Sequence, residues 1–184
     1  ENSLISYGLS YYQDRVDSFL NDFNADGSFR GSRIQGPLGD DGTYHLASAF
    51  VNDRIDLSDR LTVDLGARYT WAAADICTVS DPVTGERISI DEHWDSLVGS
   101  GRLSYALNDQ FRLFGGVSQA FRAPGFSDLS RLDANRSTEI ETPAPGPEPD
   151  QFLAYERSHG ADTGRLTAVT PSEYTDVNAL ILRA

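Results

Sequence analysis

Apolar and polar side chains alternate with a period of two along most of the chain. The clearest run is Arg60 to Trp71. Leu61, Val63, Leu65, Ala67, Tyr69 and Trp71 fall on one face, and Thr62, Asp64, Gly66, Arg68 and Thr70 on the other. A helix would scatter these residues around its circumference; a strand separates them. The same spacing predicts a strand over Ser3–Val16, with Ile5, Tyr7, Leu9 and Tyr11 on the apolar side. Another is predicted over Tyr44–Leu57, where Asp53 interrupts a row of Ala47, Ala49, Val51, Ile55 and Leu57. Trp94–Leu107 and Gln110–Arg122 repeat the pattern, and Gln151–Arg157 and Arg165–Tyr174 are weaker candidates. The strands expected number about seven, most of them roughly 10–14 residues long, enough to cross a bilayer at a tilt.

The connections alternate in length. Ser58-Asp59, Asn108-Asp109 and the stretch His159 to Gly164 are short and turn-forming. Asp17–Gly42, Asp75–His93 and Ala123–Asp150 are long and hold clusters of Gly, Pro, Asp and Ser. Ordinary compact domains rarely carry three loops of this size. Short turns at one end and long connections at the other predict an all-β fold, an antiparallel up-and-down transmembrane β-barrel. Tyr105 and Phe111 beside one short turn, and Tyr69, Trp71 and Phe121 toward the long connections, fit the two aromatic girdles of such a wall. A soluble β-sandwich with its apolar face turned into a core would show the same alternation.

Charge sharpens this layout. The 184 residues carry 28 acidic and 15 basic side chains, every basic one an arginine, for a net charge of -13. The three long connections hold 16 of the acids and five of the arginines, so the negative charge is expected almost wholly in loops. So acidic a chain repels a phosphate backbone, and no nucleic-acid partner is expected. The lone Cys77 excludes an intramolecular disulfide framework and a cysteine-rich zinc site. No apolar run approaches the ~18 residues of a transmembrane helix. No basic-plus-apolar leader precedes Ser3, and the chain starts at Glu1 without any methionine, so a processed product or a piece of something longer is expected.

Chemistry-bearing motifs are few. No GxxxxGK[ST], HExxH or GxSxG pattern occurs, so no catalytic residue, cofactor or resident metal is expected. Asp91-Glu92-His93 could gather oxygen and nitrogen ligands, although such a cluster in an exposed loop is usually solvated. Asn24-Ala25-Asp26-Gly27 matches the start of a calcium loop but lacks the downstream bidentate Glu.

One stretch is more specific. Leu113-Phe114-Gly115-Gly116-Val117-Ser118-Gln119-Ala120-Phe121-Arg122-Ala123-Pro124 runs into Gly125-Phe126-Ser127-Asp128-Leu129. It closely resembles the barrel of TonB-dependent outer-membrane receptors, in which a strand ending S-x-A-F-R-A-P-x-x-x-D-L enters an extracellular loop. Glu139 to Pro143, Pro147-Glu148-Pro149 and Tyr155-Glu156 resemble the loop and returning strand of that family, and Tyr174 to Ile181 a later strand end. Asn52 to Ile55 and Leu61 to Tyr69 resemble an earlier hairpin.

The resemblance implies a barrel of 22 strands closed by a plug domain, set in the outer membrane of a Gram-negative-type bacterium. It implies uptake of a scarce ligand, a ferric siderophore, haem or cobalamin, driven through the TonB–ExbB–ExbD complex. Against that pattern, residues 1–184 read as a partial barrel without plug or TonB-contacting segment, about a third of the length a full barrel needs. Arg157 falls where an apolar, lipid-facing residue is wanted, and Pro171 interrupts the expected seventh strand. Two other readings remain: a small stand-alone structural or adhesive barrel, and a soluble sandwich that binds a ligand. Ligand contacts are expected in the loops. Phe29, Arg30 and Arg33 form a cationic–aromatic set suited to anionic ferric chelates or haem propionates, and Arg122 sits in the family signature.

Overall fold

The computed structural model describes residues 2–33, 38–81, 84–130 and 146–161. Within them the chain forms β1 (Asn2–Val16), β2 (Leu20–Phe23), β3 (Phe29–Arg33), β4 (Asp40–Ser58), β5 (Leu61–Ser80), β6 (Arg87–Ala106), β7 (Phe111–Arg122), the short helix α1 (Phe126–Ser130) and β8 (Asp150–Ala161). Six long strands make one antiparallel sheet in the order β1-β4-β5-β6-β7-β8, and β2 with β3 forms a separate two-stranded ribbon. The order is a meander: each long strand pairs with its neighbours in sequence, as in the wall of an up-and-down barrel.

Register fixes which side chains share a face, because a strand alternates its sides and partners across a ladder share one. Leu9, Ala49, Tyr69 and Leu97 lie in one row across four strands, and Tyr7, Val51, Ala67 and Gly99 in the next. Ile5, Asp53, Leu65, Gly101, Val117 and Tyr155 form a third. Among the described residues no second layer covers these rows: Leu9 is 86% and Tyr7 82% exposed. Among the described residues these rows thus lack the packed partner that a sandwich would give them, and they form the outer, lipid-type face of a barrel wall. Arg157 does lie on this face, opposite Gly115.

The strands run well beyond the alternation that predicts them. β5 continues to Ser80 and β6 starts at Arg87, so most of the expected loop Asp75–His93 is paired sheet. The reason is a reversal of polarity. Below Trp71 the odd-numbered residues of β5 are apolar; above it the even ones are, with Ala72, Ala74 and Ile76 buried and Asp75 and Cys77 exposed. β6 reverses likewise: Leu97 and Leu103 are outward, but Trp94 and Ile90 lie inward, while Asp91, His93 and Asp95 face out. The expected concentration of charge in loops is corrected accordingly. Asp40, Asp41, Asp75, Asp91, Glu92 and Asp150 belong to strands.

The other connections are also more ordered than their composition suggests. Asp17–Gly42 contains the β2–β3 ribbon, and Ala123–Asp150 contains α1. Residues His159 to Ala161, expected in a turn, continue β8. The expected strand Arg165–Tyr174 with Pro171, the Glu139–Pro143 match and the Tyr174–Ile181 match lie outside the described residues.

The apolar core sits on the inner face at the long-connection end. Ala72, Ala74, Ile76, Val79, Ile90, Trp94 and Leu129 are buried together, with Tyr44, Leu46 and Phe126 packed against them. Leu129 and Phe126 come from α1, so the helix lies inside the curve of the wall. Glycines make room for it. A Cβ at Gly42 would stand 2.7 Å from Phe126 Cε1, and one at Gly39 2.5 Å from Ile76 Cγ2 and 3.3 Å from Ser130 Cβ.

Candidate functional site

Three features crowd the long-connection end: the seat of α1, an arginine clamp beside it, and the β2–β3 ribbon.

The seat is tightly satisfied. Ser130 is fully buried, yet its hydroxyl accepts from the Gly39 amide at 3.0 Å and donates to the Phe126 carbonyl at 3.0 Å. Both polar needs of the group are met, which removes the cost of burying it. The Trp94 indole donates to the Pro147 carbonyl at 3.1 Å, which ties the chain returning to β8 to the inner wall. The Tyr44 phenol is held above its usual pKa by burial first and by the nearby Asp128 second, with Arg122 opposing.

Arg122 ends β7 and grips both sides of the connection that follows. Its guanidinium donates to Asp128 at 2.6 Å and to Asp150 at 2.9 Å. Asp128 also accepts from the Gly125 amide at 3.0 Å. Arg122 therefore joins the end of β7, α1 and the start of β8. Its charge is engaged by two carboxylates, which assigns it a holding role.

The ribbon carries Phe29, Arg30 and Arg33, and it separates them. The ladder shifts between Asp22 and Phe23, so that Phe29 lies opposite Phe23 on one face of the ribbon while Arg33 falls with Asp22 on the other. Phe29 packs edge-on against Phe23 with ring centres 6.0 Å apart, and Arg33 pairs with Asp22 at 3.0 Å. Arg30 has no ionic partner among the described residues. Arg122 belongs to the separate clamp, so the four expected residues do not form one cluster through any contact described.

Asn24-Ala25-Asp26-Gly27 is the turn of this ribbon. Asp26 Oδ1 accepts from the Ser28 hydroxyl at 2.6 Å and amide at 2.9 Å, and Gly27 takes the φ of 84° that the turn demands. These bonds hold the Asp26 carboxyl below its ordinary value of 3.8, the hydroxyl contributing most. Asp91-Glu92-His93 is split by alternation, Glu92 inward and its neighbours outward. Among the described residues no group of three or more His, Cys, Asp or Glu side chains could hold a metal ion.

A continuous meander with an apolar outer face that nothing covers among the described residues, an inner face that turns apolar at the long-connection end, and a helix folded against that end defines a segment of a transmembrane β-barrel wall. The chain belongs to the family of TonB-dependent receptor-like β-barrels, whose model matches residues 2–164. Members of this family are outer-membrane proteins. Among solved structures the chain is similar to a double mutant of the Serratia marcescens hemophore receptor HasR, solved with its hemophore HasA and heme. The TM-score is 0.67 at 19% identity, over 86% of this chain and 26% of that one. It is also similar to the copper transporter OprC, with a TM-score of 0.64 at 16% identity, over 87% of this chain and 25% of that one. The chain thus spans about a quarter of the length of these structures, and at such identities the likeness shows the fold. No curated protein matches.

Proposed function

We propose that this chain is part of the wall of an outer-membrane receptor that takes up a scarce, metal-containing ligand, of the ferric siderophore, haem or cobalamin class, using energy delivered through TonB. The observation that carries the reading is the family match over residues 2–164, together with an inner face built to seat α1. The two structural relatives, a hemophore receptor and a copper transporter, favour a cargo that contains a metal. The role is transport and not catalysis. On this reading the long-connection end faces outward from the cell, Arg30 and the exposed Phe29 meet the ligand there, and the TonB–ExbB–ExbD complex acts through a plug carried by chain outside these residues.

Among the described residues β1 and β8 pair on one side only. Unpaired strand edges are not tolerated in lipid, so both are closed by further strands of a larger barrel, about 22 in all. The test is growth of a strain carrying the complete receptor as its sole uptake route, with haem, a ferric hydroxamate or cyanocobalamin as the limiting nutrient. Growth that one of these restores, and that deletion of TonB abolishes, supports the proposal. Growth restored by none, or unaffected by TonB, rejects it.

A further inference from the structure

The outer face carries a groove that neither the uptake reading nor the barrel architecture requires. Ala47 and Ala49 of β4 form its floor. Leu9 and Tyr11 of β1 make one wall, and Tyr69 and Trp71 of β5 the other. The register explains the shape. Each row places one alanine between two large side chains, as Leu9–Ala49–Tyr69 and Tyr11–Ala47–Trp71. Two successive rows with the same small residue in the middle leave a trough along β4, of about 520 Å³. Its lining is apolar, and it lies within the rows that face the bilayer.

The groove has a direction. The next row toward the long connections holds Gln13, His45, Ala73 and His93, so the apolar channel opens onto polar groups at that end. The Tyr11 hydroxyl and His45 Nδ1 lie 2.7 Å apart and their rings stack, which fixes Tyr11 as the wall at the boundary. Beyond that row stand Arg15, Thr43, Asp75 and Asp91, all polar. A ligand suited to this site has a long apolar tail and a polar head directed to the long-connection side.

We propose that the groove holds one fatty-acyl chain of a lipid from the external leaflet, retained by the barrel as a bound lipid with its head group at the level of Gln13 and His45. The proposal rests on the membrane-wall reading above, since only a bilayer brings acyl chains to this face. The polarity reversal between Trp71 and Asp75 puts the groove at the outer edge of the apolar band, which selects the leaflet. Aromatic side chains at such a boundary seat the junction of chain and head group well.

The test extracts the complete receptor from outer membranes and identifies retained lipid by native mass spectrometry, with heat-modifiable gel migration as the readout of folding. The wild-type barrel is expected to keep one external-leaflet lipid, a phosphorylated, polyacylated glucosamine disaccharide. A49F and A47L fill the trough and are expected to lower its retention at least tenfold while migration stays that of a folded barrel. V117F, on the same face but away from the groove, is expected to retain lipid as wild type does. Equal retention in all variants, or none in the folded wild type, overturns the proposal. Groove-dependent retention of a phospholipid overturns the external-leaflet assignment. A chain that is soluble without detergent defeats the membrane-wall reading itself, an outcome distinct from a folded barrel that carries no lipid.

Discussion

At the scale of the residue, Cys77 shows how the outward strand extensions differ from the rows below them. Its side chain is exposed, beside Asp41 and Asp75. Asp41 first, then desolvation, then Asp75 raise its thiol above the ordinary 9.0. The nucleophile is the thiolate, so a raised pKa makes an accessible cysteine slow to react. Alkylation by iodoacetamide at pH 8 is expected to run several-fold slower than for a cysteine in an unstructured peptide, and Asp41→Asn is expected to speed it. Equal rates in both proteins would contradict the assignment. Asp26 carries the opposite sign. Its folded pKa lies below the unfolded value, so its contribution to the ribbon is present above the ordinary carboxylate range and lost as pH falls through the folded pKa. The β2–β3 amides are expected to lose hydrogen-exchange protection below about pH 3.8 in the wild type, and at neutral pH in Asp26→Ala. That turn was legible as Asn-Ala-Asp-Gly between Phe23 and Phe29, but the polar strands beside it, Leu20–Phe23 and Phe29–Arg33, carry no alternation that marks a hairpin.

At the scale of the element, α1 is held by packing more than by charge. Leu129 is fully buried, and Leu129→Ala is expected to weaken the seat by about 2–5 kcal/mol. Ser130→Ala would leave the Gly39 amide without its acceptor, at about 1–3 kcal/mol. In both variants, exchange should quicken at α1 and Gly39 while the β4–β5–β6 ladder stays protected; loss of protection throughout would show that the seat and the sheet are one cooperative unit. The clamp is exposed, with Arg122 58% and its two carboxylates about 40% accessible, so Arg122→Ala should cost no more than about 1 kcal/mol. Its expected effect is local: faster proteolytic nicking between β7 and β8 without loss of the barrel. A helix of five residues directly after Pro124-Gly125 is too short to show a periodicity, which is why α1 was invisible in the sequence. The extensions of β5 and β6 were legible and missed for a different reason. A search for apolar residues continuing on one face stops at Trp71, whereas Ala72, Ala74 and Ile76 carry the same period on the other.

For the whole molecule, that change of face is the central structural fact. From Leu61 to Trp71 the outer side of β5 is apolar. About ten steps of ~3.4 Å at a tilt near ~45° span roughly 24 Å, close to the ~25 Å apolar band of an outer-membrane barrel. Above it the outer side becomes acidic, and the inner side becomes the apolar seat of α1. The wall is thus divided into a stretch that faces lipid and a stretch that faces water, within strands that do not break. The apolar row, the short turns and the receptor signature were all readable beforehand because alternation is set by local backbone geometry. The position of the membrane edge was not, because it depends on which face the inward-folded connection covers. The most direct test is a nitroxide scan along β5 in the complete receptor in bilayers, with Cys77→Ser as background, comparing collisions with oxygen and with a water-soluble nickel chelate. The account predicts oxygen-dominated collisions at 63, 65, 67 and 69, nickel-dominated collisions at 75 and 77, and low values for both at 72, 74 and 76. Nickel access along the whole odd-numbered row, or oxygen dominance continuing through 77, would contradict it.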